Sequence, residues 1–156
     1  MYPVQPDAIT SFRNEHRFLS NFYMVDVDID GIVYASAEHA FQAHKTLDRR
    51  ERRYIARQDT PAQAKQAGRS VELRPDWEEV KRSTMLGIVA AKFDNYELGC
   101  RLLATGKRQL VEGNTWGDRY WGCVQRKGVW VGKNYLGRIL MRVRTLLRNE
   151  RGIGSK

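Results

Sequence analysis

Few of the features that announce a chemistry on sight are present. Only two cysteines occur in 156 residues, Cys100 and Cys123. That is too few for a disulfide framework, so a reducing compartment and a cytoplasmic location are expected. His16, His39 and His44 form no i, i+4 pair and sit near neither cysteine in zinc-ligand spacing, so no metal is expected. There is no P-loop, no glycine fingerprint for a dinucleotide and no nucleophile elbow, and no cofactor is expected. No apolar run approaches the roughly 20 residues that cross a bilayer. The opening Met1-Tyr2-Pro3-Val4-Gln5-Pro6-Asp7 has no basic segment followed by an apolar stretch, so neither a secretory signal nor a membrane partner is expected. Prolines number four, and no Pro/Gly/Ser linker or internal repeat divides the chain. The expectation is one monomeric domain over 1–156, with its core at about 9–149 and loose ends at Met1–Ala8 and Arg151–Lys156.

What is abundant is positive charge and aromatic rings. Lys and Arg number 27 against 18 Asp and Glu, a formal net charge of +9. Such an excess steers phosphate-bearing molecules toward the protein, with nucleic acid, nucleotides and sugar phosphates all candidates. The densest basic run, Arg49-Arg50-Glu51-Arg52-Arg53, reads as a solvated helix face. Along the chain, Val25–Ile29 alternates apolar and acidic residues, and Asp30-Gly31 turns it into Ile32-Val33-Tyr34, a β-hairpin signal. Ser36 caps a helix expected to run to about Leu47. Thr60-Pro61-Ala62-Gln63 combines an N-cap, a proline at N1 and a capping-box Gln, with Gly68 at the end. Asp76 begins a helix to about Lys92. Asp94 or Asn95 begins another ending at Gly106. Asn134 caps a last one, in which Leu136, Ile139, Leu140, Val143, Leu146 and Leu147 follow the 3.6 period and the arginines fall on the other faces. Gly113–Lys133 shows no period and reads as a long ordered loop.

Three segments carry polar chemistry. In the helix after Ser36, Glu38, Phe41, Gln42 and Lys45 share one face, while Ala37, Ala40 and Ala43 share the other. If the polar face lines a cleft, it offers an acid or base, an amide and an amine nucleophile; otherwise it is a solvated face. Trp116-Gly117-Asp118-Arg119-Tyr120-Trp121-Gly122 offers rings for stacking on a base, or an aromatic mini-core beneath a loop. Phe18-Leu19-Ser20-Asn21-Phe22-Tyr23 is either a turn with polar groups facing a pocket or an ordinary β-turn.

Taken in order, these segments resemble the NADAR (YbiA-like) domain family. The matching pieces include Phe18 to Tyr23, Ser36-Ala37-Glu38-His39-Ala40-Phe41-Gln42-Ala43-His44-Lys45, Leu73-Arg74-Pro75-Asp76-Trp77, Lys92-Phe93, Leu110-Val111-Glu112, Trp116-Gly117-Asp118, Trp121-Gly122 and Gly132-Lys133-Asn134 with Leu136-Gly137. They hold from about Phe12 to Leu147. Tyr23-Met24 departs from the family's Tyr-Pro at one turn. The resemblance implies a mainly α fold, a compact orthogonal helical domain with a small β-hairpin, and hydrolysis of a bond between ribose C1 and an exocyclic amine. Two substrates are implied: ADP-ribose on the guanine amino group of nucleic acid or nucleotides, and phosphorylated ribosylamino-pyrimidine intermediates of riboflavin biosynthesis. A non-catalytic module that binds ADP-ribose or nucleic acid is the competing reading. For the hydrolytic chemistry the candidate catalytic residues are Glu38, Lys45 and Asp118. The candidate substrate contacts are Asn21, Phe22, Phe41, Gln42, Trp77, Trp116, Gly117, Trp121 and Asn134, with Arg13 and Arg74 as further cations. Lys45 would hold the opened sugar as a Schiff base, which requires an amine made less basic by desolvation or by neighbouring cations.

Overall fold

Asp30 and Gly31 both adopt positive φ, 53° and 78°, the backbone of a two-residue turn that matches strand twist. They join β1 (Met24–Ile29) to β2 (Ile32–Ser36), antiparallel with Ile29 opposite Ile32 and Val27 opposite Tyr34. The structure, a computed structural model, describes residues 1–152. Within them lie six α-helices, one 3-10 helix and two two-stranded sheets, a mainly α chain as expected. Two compact units are present, one of Asn21–Asp94 and one of Met1–Ser20 with Asn95–Lys156.

In the first unit β2 runs without a loop into α1 (Ala37–Ala43), because Ser36 ends the strand and caps the helix, its Oγ accepting from His39 N at 3.1 Å. All seven α1 residues are buried. Around it pack the hairpin, α2 (Arg49–Ala56), α3 (Pro61–Gly68) and α4 (Trp77–Phe93); the small side chains of Ala37, Ala40 and Ala43 permit that approach. The capping box at Thr60 and Gln63 is formed on both sides. Asp76 precedes α4 without capping it, since its carboxylate is taken by Arg74, at 2.6 and 3.0 Å. The helix expected to reach Leu47 ends at Ala43. There His44 Nδ1 donates to the Ala40 carbonyl at 2.6 Å, and Lys45 N and Thr46 N turn to carbonyls three residues back. Thr46 Oγ1 then accepts from Asp48 N, and Asp48 caps α2.

The second unit contains the 3-10 helix Asn14–Leu19, α5 (Tyr96–Ala104), β3 (Cys123–Arg126), β4 (Val129–Gly132) and α6 (Tyr135–Glu150). The loop expected over Gly113–Lys133 is therefore partly a hairpin. Its turn is Lys127-Gly128, with φ of 51° and 76°, a less familiar spelling of the Asp-Gly turn, and the paired β-branched residues are Val124 and Val131. The N-terminal end is held rather than loose. Tyr2 N donates to Trp130 O at 2.7 Å, and Ile9 bridges Leu110. At the other expected loose end, residues 153–156 lie outside the described residues. In α6 the periodic leucines are buried except Leu146, which is 50% exposed. Arg144 is buried and donates to Thr105 Oγ1 at 2.8 Å, so it does not share the outer face with its fellow arginines.

Candidate functional site

The polar residues of α1 are inside the protein, not on a solvated face. Glu38 and Gln42, one turn apart, are both buried, and Gln42 Nε2 donates to Glu38 Oε1 at 2.7 Å. Gln42 is fixed in turn by Gly68. A methyl at Gly68 would lie 2.1 Å from Gln42 Oε1 and 3.0 Å from its Cβ, so only glycine lets α3 come this close. Gln42 thus positions the carboxylate. The backbone N of Glu38 donates to Asn21 O at 3.0 Å, and the Asn21 amide lies 3.4 Å from Met85 Sδ. Asn21 therefore fixes the N-terminal end of α1, and Phe22 is left 43% exposed.

Lys45 stands just beyond α1. Its N donates to Gln42 O at 3.2 Å, and its carbonyl accepts from Arg74 N at 2.7 Å. Its Nζ lies 6.0 Å from the Phe41 ring centroid, and Phe41 meets Trp77 edge-on at 5.1 Å. Burial lowers the Lys45 pKa below the ordinary lysine value; the Glu38 carboxylate opposes this, and Lys65 and Arg69 reinforce it. Glu38 and Lys45 are thus within electrostatic reach of each other. Trp77 is 6% exposed, so little of its ring is open to solvent.

The neighbouring histidines are structural. His39 Nε2 donates to Gln58 O at 2.8 Å, which leaves Nδ1 to accept from the Ser36 hydroxyl at 2.6 Å. Lys92 is not among the candidate site residues, yet it is fully buried beside Tyr23, 5.7 Å from that ring, and burial lowers its pKa to about 7. The sequence does carry a signal for it. Met85, Ile88, Val89 and Phe93 form the buried stripe of α4, and Lys92 occupies its i+7 position.

In the other unit, Asp118 Oδ1 accepts from both Tyr120 N and Trp121 N at 2.9 Å. Asn114 spans the same loop, accepting from Asp118 N and donating to Asp118 O. Asn134 has a left-handed backbone and its side chain is fully buried. It accepts from Glu112 N and donates to Leu110 O, both at 3.0 Å. The first N–H groups of α6, from Tyr135 and Leu136, donate to Tyr120 O and Trp121 O. Loop carbonyls thus already take the N–H groups that open this helix. Trp116 is 62% exposed beside Gly117, whose φ is 88°. Trp121 packs edge-on against Tyr120 at 4.8 Å. Among the described residues no group of His, Cys, Asp and Glu is arranged to hold a metal, and no helix is long and apolar enough to cross a membrane.

The buried Glu38–Gln42 pair on α1, with the half-buried amine of Lys45 in the turn beyond it, stands on a mainly α scaffold whose family is named by comparison with known proteins. The chain belongs to the NADAR domain family, whose model matches residues 9–148. It is 39% identical over 154 residues to the N-glycosidase YbiA of Escherichia coli K12, covering 95% of this chain and 94% of that protein. It is 36% identical to an N-glycosidase of Nostoc punctiforme, over 83% of this chain and 85% of that one. It is also 36% identical to a riboflavin biosynthesis protein of Vibrio vulnificus, over 96% of this chain but 39% of that longer protein. An NMR structure of E. coli YbiA matches the fold with a TM-score of 0.79 at 38% identity, covering 98% of this chain and 92% of that one.

Proposed function

We propose that this chain is a hydrolase of N-glycosyl bonds that cleaves ribose C1 from an exocyclic amine, with ADP-ribose on the guanine amino group of nucleic acid or nucleotides as its substrate. One observation carries the reading: a partly buried amine, Lys45, is made less basic by burial and lies within electrostatic reach of Glu38, a carboxylate held by Gln42. The N-glycosidase names of the relatives support the bond type.

In the proposed sequence the substrate's C1–O4 bond opens, the exocyclic N–H proton passes to O4, and the nitrogen becomes an imine at C1. The neutral Lys45 Nζ adds to C1. The Glu38 carboxylate carries the protons that Nζ loses to the exocyclic nitrogen, which leaves as the free amine of the base. The sugar stays on Lys45 as a Schiff base. Water then adds to C1 with Glu38 as base, Nζ departs, and the sugar closes as ADP-ribose. One water is consumed and no electrons change hands. Phe41, with Trp77 packed on it, supplies apolar surface beside the amine, and Phe22 is kept as a candidate contact. Asp118 is kept as a second carboxylate candidate, with Asn21, Trp116, Gly117, Trp121 and Asn134 as candidate contacts. Incubation with ADP-ribosylated guanosine tests the reading. Release of ADP-ribose and borohydride-dependent labelling of Lys45 are expected; a fully active Lys45→Ala would remove the lysine route.

The riboflavin names among the relatives favour a second substrate, a phosphorylated ribosylamino-pyrimidine. It has the same C1–amine bond, so the same residues serve it. Product analysis with both compounds separates the two readings, and retention of ADP-ribose without release would mark a binding module instead.

A further inference from the structure

The positive charge is not spread evenly. Residues 21–94 hold 12 Lys and Arg against 12 Asp and Glu and are neutral, whereas the other unit holds 15 against 6 and carries the whole net +9. Within this basic unit lies an open groove of about 620 Å³, made of Thr10, Ser11 and Arg13 on one segment, Asn114, Thr115 and Gly117 on another, and Gln125, Arg126 and Trp130 from β3 and β4. No carboxylate lines it. Its cations are Arg13 and Arg126, both exposed, and between them stand hydroxyl and amide groups. Trp130 is half-buried, with the edge of its six-membered ring against Gly113, where an added methyl would come within 2.8 Å. The same residue lines the groove. Of the groove residues only Arg13 and Gly117 are also candidate contacts of the Glu38–Lys45 chemistry.

We infer that this groove seats a single-stranded polynucleotide, with phosphates on Arg13 and Arg126 and one unstacked base on Trp130. A guanidinium forks onto phosphate oxygens, hydroxyls donate to phosphate without regard to sequence, and an indole accepts any base face. A duplex keeps its bases stacked and cannot use Trp130. The groove's role in the reaction rests on the reading that the modified guanine lies within a strand; its capacity to bind a strand does not.

The test is fluorescence anisotropy with unmodified labelled oligo-dT, oligo-U and a duplex of equal length, over a range of salt. Wild type is expected to bind a single strand more tightly than the duplex; preference between the two sugars identifies the strand. Arg126→Glu is expected to weaken single-strand binding by about tenfold and to reduce the log–log salt slope by about 0.7, the loss of one phosphate contact. Trp130→Leu is expected to weaken it by a similar factor. If that variant does not fold, Arg126→Glu decides, because its side chain is exposed near a hairpin turn. The control is Arg142→Glu, an equal charge change on the exposed face of α6. Equal weakening by the control, equal affinity for duplex, or no binding by wild type would overturn the inference. Release of ADP-ribose from modified guanosine is measured in parallel. A protein that hydrolyses the nucleoside but binds no strand loses only the groove, and one that binds strands without hydrolysis loses only the proposed activity.

Discussion

Lys45 is where a single residue decides most. To act as the proposed nucleophile Lys45 must be neutral, and burial holds its pKa below the ordinary lysine value. The rate of N-glycoside hydrolysis is therefore expected to rise with pH along a limb centred below 10.5 and then level off, because deprotonation activates the amine. Lys45→Arg keeps the charge but forms no imine, so it is expected to abolish borohydride trapping and that limb together. Glu38→Gln is expected to lower kcat by about 10²–10⁴-fold, the usual share of a positioned proton donor, measured on the same substrate. Asp118 presents a different case. Its Oδ1 holds two backbone N–H groups, so Asp118→Ala is expected to cost about 1–3 kcal/mol of stability for the donors it strands. Asp118→Asn still offers an amide oxygen to both and is expected to keep most of that stability. If Asp118→Asn also keeps kcat, the residue holds a loop rather than taking part in catalysis. The sequence pattern displays Asp118 and Asn134 as polar residues near tryptophans, but it does not show that their side chains are committed to backbone groups as distant as Leu110. Helix periodicity places Glu38 and Gln42 one turn apart on α1, but it does not place Lys45, which lies in the turn beyond Ala43.

Among the elements, α1 and α3 are coupled through one missing methyl. Gly68→Ala places a carbon on Gln42 Oε1, and relief requires the Gln42 side chain to swing away from Glu38. The expected outcome is a loss of about 1–3 kcal/mol from overpacking, seen as a lower denaturant midpoint. With it comes a fall in kcat at nearly unchanged KM, since the carboxylate loses its holder while the substrate walls remain. The elements that sequence reading found are those whose ends are written locally: the Asp30-Gly31 hairpin, the Thr60 capping box, and the Asn95 cap whose side chain accepts from Leu98 N at 3.1 Å. Those it missed or misplaced depend on distant partners. The Lys127-Gly128 hairpin carries a positive φ on a lysine, which local preference does not favour. The stop of α1 at Ala43 depends on Thr46 and Asp48 being claimed by α2. Gly68 reads as a helix end, and its packing role appears only when Gln42 is placed against it.

Over the whole molecule, the arginines that look scattered in sequence leave one unit neutral and the other strongly basic. Folding, not composition, gives that charge a location. Stability has its own long-range term in Lys92. In the native state burial lowers its pKa to about 7, whereas an unfolded lysine titrates near ~10.4. Below pH 7 both states hold the proton, and the full cost of burying an ammonium opposes folding. Between pH 7 and ~10.4 the unfolded chain still binds a proton that the native protein has released, so the unfolding free energy gains with pH, by at most about 1.4 kcal/mol per pH unit. Above that window the amine is neutral in both states and the cost is gone. Other groups titrate over the same range, so the comparison must be with Lys92→Met, which keeps much of the side-chain volume and removes the charge. Urea midpoints at pH 6, 8 and 9.5 are expected to rise more steeply in wild type than in the variant, with the variant the more stable at pH 6. Parallel slopes would mean that the amine stays protonated inside the fold, and that what surrounds Lys92 stabilises its charge more than burial opposes it.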